Sequence, residues 1–305
     1  MELAPHRRPK REHKIRMRSI GDVYGQAMGE LARPFPSAKL YNWTKFNWLT
    51  GGFRLGEYSI LCGGTGVGKT TLLANIAVQL VMAGHRLFVA PVETGDSDFV
   101  KRMISVVHGF DVNTGDSVHA ERLQSINSKH ADFFLTDRVQ LSVYDDRVDP
   151  DILMDDIWHA KQVHQCTIAI TDNLNYFLEV KDERAWMIEQ DRVTHRMIDF
   201  TKNAPIHWIQ VMHPRKVDGL VESENDIKGS STSVQEAQNV LLFNPPSEED
   251  IENDVRTPLD RVITLRKMRR RGVYTNHRLI FTSDGTTYTE GEVLGRAVRT
   301  RRKSG

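Results

Sequence analysis

The sequence predicts an α/β protein with a mostly parallel central sheet, flanked by helices, and with antiparallel strands at its C-terminal end. Short apolar runs alternate with helical segments over most of the chain, as they do when helical crossovers join parallel strands. Towards the C-terminus the apolar runs follow one another more closely, which favours an antiparallel edge. At 305 residues, of which 39% are apolar, the chain is long enough to bury a substantial core.

The individual elements follow from the spacing of the apolar residues. From Ser19 an apolar stripe predicts a helix that ends before Pro34, and residues 41–57 form an irregular lead-in to the first strand. Polar loops are predicted at 214–230 and 245–258. Strands are predicted near 58–62, 87–92, 140–144, 166–171, 206–212, 239–243, 261–266 and 278–282, and helices near 69–83, 96–107, 118–129, 150–163, 183–203 and 231–237.

The net charge of +1 hides two basic arms. Residues 1–18 carry seven Arg or Lys against two Glu, and residues 296–305 carry five against none. The remainder has 29 basic against 38 acidic residues, so any affinity for nucleic acid must come from the arms and from local loops. The arms are either solvated tails or DNA contacts. The predicted division is a basic arm (1–18), a linker helix with its following segment (19–40), a main domain (41–292) and a basic tail (293–305).

Cysteine content and hydropathy indicate the cellular setting. Cys62 and Cys166 each lie in an apolar run, so we expect buried free thiols in a reducing compartment. No stretch approaches the roughly 18 to 20 apolar residues of a membrane-spanning helix. We therefore expect no membrane partner and a cytoplasmic location. A mitochondrial presequence is disfavoured by Glu2 and Glu12.

The stretch GGTGVGKTT (63–71) lies between the first apolar strand and a helical pattern. It satisfies G-x-x-x-x-G-K-[ST], which forms a phosphate-binding loop in this context. Its backbone N–H groups would surround a phosphate, Lys69 would reach the β- and γ-phosphates of ATP, and the Thr70 hydroxyl would ligate Mg²⁺. The predicted nucleotide contacts are Gly63, Gly64, Thr65, Gly66, Val67, Gly68, Lys69, Thr70 and Thr71.

Two further apolar runs end in a carboxylate. The run LFVAPVE ends at Glu93, which is suited to orienting a water for attack on the γ-phosphorus. The run TIAITD ends at Asp172, where a water bound to Mg²⁺ could be held. The residues alone leave two alternatives open, a solvated strand-end glutamate and a turn-forming aspartate.

A family resemblance rests on the loop 63–71, Glu93 and Asp172, together with three later stretches. These are VMHPRK (211–216), KGSSTSVQEAQNVLLF (228–243) and RKMRRRG (266–272). In this order they resemble the RecA-like helicase domain of ring replicative helicases, above all mitochondrial Twinkle helicase and the helicase half of phage primase-helicases. The likeness runs from about residue 40 to 290. It implies a RecA-like P-loop NTPase fold.

The resemblance also implies roles for residues at the nucleotide. Glu93 would be the catalytic carboxylate, Asp172 the second acidic residue on Mg²⁺, and His213 the sensor of the γ-phosphate. For His213 the alternative is an ordinary strand-end histidine. Arg102 and Phe281 are weaker candidates for sandwiching adenine, with an ion-pair residue and a core residue as the alternatives.

A basic cluster near the end of the chain would act across subunits. Arg269 would be the arginine finger that reaches the ATP of a neighbouring subunit, with Lys267 as its partner on the same strand face. Arg270 and Arg271 leave the finger uncertain by a residue. The alternative is a basic cluster exposed to solvent.

In a ring, the loops that follow the Asp172 strand and the His213 strand would line the channel. The predicted contacts with DNA phosphates are Lys181, Arg184, Arg215, Lys216 and Lys228, each of which is otherwise a plain surface charge. Contacts of this type do not read bases, so binding should be indifferent to sequence and weakened by salt.

Together these features predict an ATP-dependent replicative DNA helicase that uses ATP and Mg²⁺. It would form a homo-oligomer, a hexameric ring, around single-stranded DNA, unwind forked duplex DNA, and work with a separate primase, polymerase or loader. Two alternatives stay open: a RecA-type recombinase that forms filaments, and an ATP-switched DNA-binding or loading module without unwinding activity.

Overall fold

The structure, a computed structural model, describes most of the chain between residues 19 and 295. The basic arms 1–18 and 296–305 and the helix predicted at 118–129 lie outside the described residues. Those described are 19–31, 36–112, 133–134, 136–144, 146–178, 182–215, 220–228, 231–269 and 277–295.

The described strands are β1 (Ser37–Ala38), β2 (Phe53–Arg54), β3 (Tyr58–Gly63), β4 (Leu87–Ala90), β5 (Val139–Leu141), β6 (Ile168–Thr171), β7 (His207–Met212), β8 (Asn239–Asn244), β9 (Arg261–Met268), β10 (His277–Ser283) and β11 (Tyr288–Leu294). Eight of the described strands, β3 to β10, coincide with predicted apolar runs, and β3, β4, β6, β7 and β8 are buried along their whole length.

Nine of the described strands form one sheet in the order β11-β10-β9-β8-β3-β7-β6-β4-β5, while β1 and β2 form a separate ribbon. All pairs from β5 to β8 are parallel, and the pairs from β8 to β11 are antiparallel. The predicted parallel sheet with an antiparallel C-terminal end is therefore confirmed. Three of the described strands, β1, β2 and β11, are ones that the sequence did not predict.

Helices cover both faces of the sheet. They are α1 (Ile20–Leu31), α2 (Thr44–Thr50), α3 (Lys69–Met82), α4 (Asp96–His108), α5 (Pro150–His164), α6 (Glu183–Asn203), α7 (Ser231–Glu236) and α8 (Glu248–Glu252). Helices α2 and α8 occupy segments that we predicted to be irregular. Short 3₁₀ turns lie at Leu174–Phe177 and Glu224–Asp226.

The two faces of the central strand β3 contribute side chains to two separate hydrophobic cores. Leu61 packs in a cluster with α3 and α4, whereas its neighbours Ile60 and Cys62 pack in a second cluster with α5 and α6. This alternation is the period-two pattern of a strand buried on both sides. Both cysteines, Cys62 and Cys166, are buried free thiols, as predicted.

Helix α1 carries its predicted apolar stripe on an exposed surface. The side chain of Ile20 is 89% exposed, and Val23, Tyr24 and Met28 are also exposed. None of the described helices combines the length and the apolar content that a membrane-spanning segment requires.

The ends of four neighbouring parallel strands bring the predicted site residues to one edge of the sheet. The phosphate-binding loop follows β3, while Glu93, Asp172 and His213 follow β4, β6 and β7. Ligands of open α/β sheets bind at this carboxyl edge.

Candidate nucleotide-binding site

The phosphate-binding loop joins β3 to α3 and depends on two glycines. A Cβ on Gly63 would lie 2.5 Å from the carbonyl oxygen of Phe243 on the adjacent strand β8. Gly68 has φ +91, and a Cβ there would lie 2.8 Å from the Tyr288 hydroxyl. Among the described residues no side chain caps the N-terminus of α3, so its first N–H groups are available to a phosphate.

Lys69 places its ammonium inside this loop. Its Nζ donates to the carbonyl oxygen of Gly64 over 2.7 Å, and the residue is 8% exposed. Burial lowers the pKa of Lys69, while the negative charges of Asp172 and Glu93 oppose that shift. The buried cation is thus held among the groups that would surround a phosphate.

Thr70 and Asp172 form a pair suited to a divalent cation. The Thr70 hydroxyl donates to Asp172 Oδ2 over 3.1 Å. Asp172 Oδ1 is buried, and no described residue donates to it. Burial, and then the charge of Glu93, raise the pKa of Asp172 to about 6. A desolvated carboxylate with a spare oxygen beside a hydroxyl fits the oxygen ligands that Mg²⁺ prefers.

Glu93 and His213 meet across an asparagine that we did not predict. The Asn173 Nδ2 group lies 2.6 Å from Glu93 Oε2 and 2.9 Å from His213 Nε2. The latter two atoms are 3.6 Å apart. Burial and the charge of Lys69 lower the pKa of His213, so the neutral ring is favoured. The sequence signal for Asn173 was its position directly after Asp172.

The C-terminal strands brace the phosphate-binding loop, which no sequence motif indicated. Arg261 Nε donates to the carbonyl oxygen of Val67 over 2.6 Å. Its Nη1 donates to the carbonyls of Pro258 and Asp260. Tyr288 hydrogen-bonds with the Arg261 side chain. These contacts make the antiparallel end of the sheet a support for the nucleotide site.

A family model described as AAA domain (AAA_25) matches residues 42–219, more than half of the chain. The chain belongs to this AAA domain family. Its site residues Lys69, Glu93, Asp172 and His213 all lie within the matched range.

Solved structures share the fold of this AAA domain. A DnaB-like replicative helicase, described with its interactions with primase, has a TM-score of 0.75 at 11% identity, covering 91% of this chain and 68% of that one. An isolated ATPase domain has a TM-score of 0.75 at 12% identity, covering 90% and 99%. A KaiC-like protein from the hyperthermophilic archaeon Pyrococcus horikoshii has a TM-score of 0.55 at 17% identity, covering 85% and 99%. The predicted RecA-like fold is confirmed.

The two residues predicted to sandwich adenine, Phe281 and Arg102, lie in different surroundings. Phe281 is fully buried, with its ring centroid 4.5 Å from that of Trp43, so our prediction that it stacks on adenine is wrong. Its strand register turns the ring into the core. Arg102 instead lies at the end of the phosphate-binding loop, where Nη1 donates to the Thr71 hydroxyl over 3.3 Å. Its Nε is buried, and no described residue accepts from it.

The predicted finger residues lie against helix α7. Lys267 Nζ donates to the carbonyls of Val234 and Gln235, and burial followed by the charge of Arg269 lowers its pKa to about 8. Lys267 is only 9% exposed and contacts carbonyls of its own chain, and its role as the partner of the finger stays a prediction. Arg269 is exposed, and its Nη2 donates to Gln235 over 3.0 Å. Arg270 and Arg271 lie outside the described residues.

The loop after β7 folds back on itself and brings two predicted DNA contacts together. Pro214 and Ile227 form an antiparallel bridge, and the Lys228 N–H donates to the His213 carbonyl over 2.9 Å. Arg215 and Lys228 are therefore neighbours. Of the other predicted contacts, Lys181 and Lys216 lie outside the described residues, as does the side chain of Arg184.

Residues of this loop share a cavity with the phosphate-binding loop. The cavity has a volume of about 590 Å³, and Gly64, Thr65, His213, Arg215 and Lys228 line it. Lys228 Nζ also lies 4.6 Å from the centroid of the Trp186 ring, on helix α6. The structure thus joins the candidate nucleotide site to two of the predicted DNA-binding residues.

Proposed function

We propose that this AAA domain protein is an ATP-dependent DNA helicase that encircles single-stranded DNA as a hexameric ring. It couples ATP hydrolysis to strand translocation and to the unwinding of forked duplex DNA. The observation that carries the proposal is the shared cavity, which borders both the phosphate-binding loop and the basic pair Arg215 and Lys228. The fold likeness to a DnaB-like replicative helicase supports it.

The chemistry within one protomer is hydrolysis of the γ-phosphate. Lys69 and the N-terminus of α3 bind the phosphates, and Glu93 polarises the attacking water. Thr70 and Asp172 would hold Mg²⁺, which would neutralise negative charge on the phosphates when bound. His213 senses the γ-phosphate.

The chemistry between protomers uses exposed groups. Arg269 reaches the ATP of the neighbouring protomer and stabilises the charge that develops during hydrolysis. The exposed apolar stripe of α1, which includes Ile20, Tyr24 and Met28, packs on a neighbour and helps to close the ring. Hydrolysis at the interface then changes the subunit contacts.

The DNA strand is held by its phosphates. Arg215 and Lys228 bind it, together with Lys181, Arg184 and Lys216 on the same two loops. We propose a cytoplasmic protein, in a bacterial cell or a phage-infected host, that works with a primase, polymerase or loader. The finer likeness to Twinkle and to phage primase-helicases belongs to this proposal.

The second candidate function is an ATP-switched DNA-binding or loading module without unwinding activity. The fold shared with a KaiC-like protein favours it, because a RecA-like core also occurs outside replicative helicases. A RecA-type recombinase would form filaments instead of rings.

The test is unwinding of a forked duplex by the full chain, with particles counted by electron microscopy in the presence of an ATP analogue. The motor proposal requires that the wild type unwinds and that Glu93→Gln loses both hydrolysis and unwinding. Glu252→Gln, on the exposed helix α8, is the matched control and should behave as the wild type. Unwinding that persists without hydrolysis, or a wild type that never unwinds, overturns the proposal. Filaments would favour the recombinase.

A further inference from the structure

Asn173 occupies the centre of the site and is 8% exposed. Its Oδ1 accepts the N–H of Asn175 over 2.9 Å, which fixes the orientation of the carboxamide. The Nδ2 group must therefore face the other way, towards Glu93 and His213. Both of its contacts are within hydrogen-bond distance.

The contact with His213 determines the state of the imidazole ring. A carboxamide nitrogen only donates, so His213 Nε2 must accept and its proton must lie on Nδ1. The titratable groups that act on the ring are Lys69, Lys228 and Glu93. The two lysines disfavour a second proton on the ring, whereas Glu93 favours it. One NH₂ group thus binds both the carboxylate of Glu93 and a neutral ring.

The backbone of His213 is tied to the basic loop, which is the loop after β7 that carries Arg215 and Lys228. The His213 carbonyl accepts the N–H of Lys228, and the next residue, Pro214, bridges to Ile227. A displacement of this loop by a bound strand would therefore move His213. Because Asn173 holds the ring and Glu93 together, the carboxylate would move too.

We propose that Asn173 is a positioning residue for ATP hydrolysis, which holds Glu93 and makes its orientation depend on His213 and the basic loop. This inference rests on the proposed function, because it assigns the coupling between DNA and hydrolysis to one side chain. Asn173 touches neither Lys69 nor Thr70 through any described hydrogen bond, so binding of ATP does not require it.

The test compares Asn173→Asp, which keeps the shape but loses the donor, with Asn173→Ala, which loses the donor without adding charge. In both, we expect kcat for ATP to fall roughly tenfold or more while KM stays within about threefold, because the loss falls on the transition state. The ratio of the hydrolysis rates with and without oligo(dT) should fall towards one. Asn203→Asp, at the exposed end of α6, is the control and should match the wild type.

Wild-type kcat and stimulation in Asn173→Ala would overturn the inference, as would a rise in KM that accounts for the whole loss. A wild type that hydrolyses ATP without stimulation by DNA counts against the proposed function, while the comparison of kcat and KM still tests Asn173.

A measurement that does not depend on catalysis is ¹⁵N NMR of the histidine rings, in which His213→Gln assigns the His213 signal. We expect the Nδ1–H form in the wild type and a shifted Nε2 signal in Asn173→Ala. An Nε2–H ring in the wild type overturns the inference.

Discussion

Arg261 Nε donates a hydrogen bond to the carbonyl oxygen of Val67 over 2.6 Å. The two residues are 194 positions apart in sequence, yet the first strand of the antiparallel end holds the loop that would bind phosphate. A loop that is held in one conformation loses less entropy when a ligand binds.

Arg261→Ala should weaken ATP binding. The substitution removes the donor to Val67 and two further bonds to Pro258 and Asp260. Without these bonds the free loop samples more conformations, and an added ordering cost of about 1.4 kcal/mol on binding lowers the affinity roughly tenfold. Calorimetry with a non-hydrolysable analogue measures it. Arg192→Ala, an exposed residue on α6, is the control, and equal affinity in both variants contradicts the prediction.

Lys69→Ala should abolish measurable nucleotide binding. It removes the buried cation of the phosphate-binding loop, which lies 2.7 Å from the Gly64 carbonyl. The same titration of an ATP analogue measures the affinity, and circular dichroism checks the fold. Lys202→Ala, an exposed residue on α6, serves as the matched control. If Lys69→Ala bound the analogue with wild-type affinity, the loop would not be the nucleotide-binding site.

Arg269→Ala should keep ATP binding and lose turnover, because in the proposed ring the exposed guanidinium would act on the ATP of the neighbouring protomer. Mixing this variant with Glu93→Gln should restore part of the activity. In a mixed ring some interfaces combine an intact Glu93 from one protomer with an intact Arg269 from the next. Steady-state hydrolysis is measured over a range of mixing ratios. Absence of rescue at every ratio argues against a finger that acts across subunits.

DNA binding should change the fluorescence of Trp186. Lys228 Nζ lies 4.6 Å from the indole centroid, and in the proposed complex we expect it to turn from the ring towards a phosphate of the strand. Titration with oligo(dT) should alter the emission of the wild type, and Trp186→Phe should remove the change. Trp48→Phe, a side chain that is 70% exposed on α2, should leave it intact. If the emission of Trp186→Phe still changed with oligo(dT), the DNA strand would bind away from Lys228 and Trp186.

Stability should fall below pH 6.5 because of His207. Its Nδ1 donates to the Arg54 carbonyl and its Nε2 accepts from the Ser59 hydroxyl, so the buried ring is neutral. Burial lowers the pKa of His207 to about 4. The unfolded chain takes up the proton first, so this contribution is complete above pH 6.5 and is lost as the pH falls to 4, by roughly 3 kcal/mol.

Urea unfolding at several pH values measures this dependence. His207→Gln keeps a donor and an acceptor but does not titrate, so its free energy of unfolding should depend less on pH between 6.5 and 4. Parallel curves for the two proteins would show that other groups cause the loss.

The sequence could predict the parts of the site that depend on contiguous residues. The phosphate-binding loop needs glycines between a strand and a helix, and that requirement is met within residues 63–71. Glu93 and Asp172 were predictable because each follows an apolar run, and the ends of parallel strands meet at one edge. The same runs predicted the mixed sheet. His213 was a candidate only through the family resemblance.

Contacts between distant segments were decided by the tertiary structure. Asn173 joins Glu93 to His213, Arg261 supports Val67, and Lys267 turns to the carbonyls of α7. The tertiary structure also decided the burial of Phe281, because an aromatic residue in a strand can face either side of the sheet.

The sequence by itself determined the local elements, the phosphate-binding loop and the strand ends, because glycine conformations and apolar periodicity act over a few neighbouring residues. Only the tertiary structure decided which of those residues touch one another. Strand order and register set these contacts, and both result from packing the whole core at once.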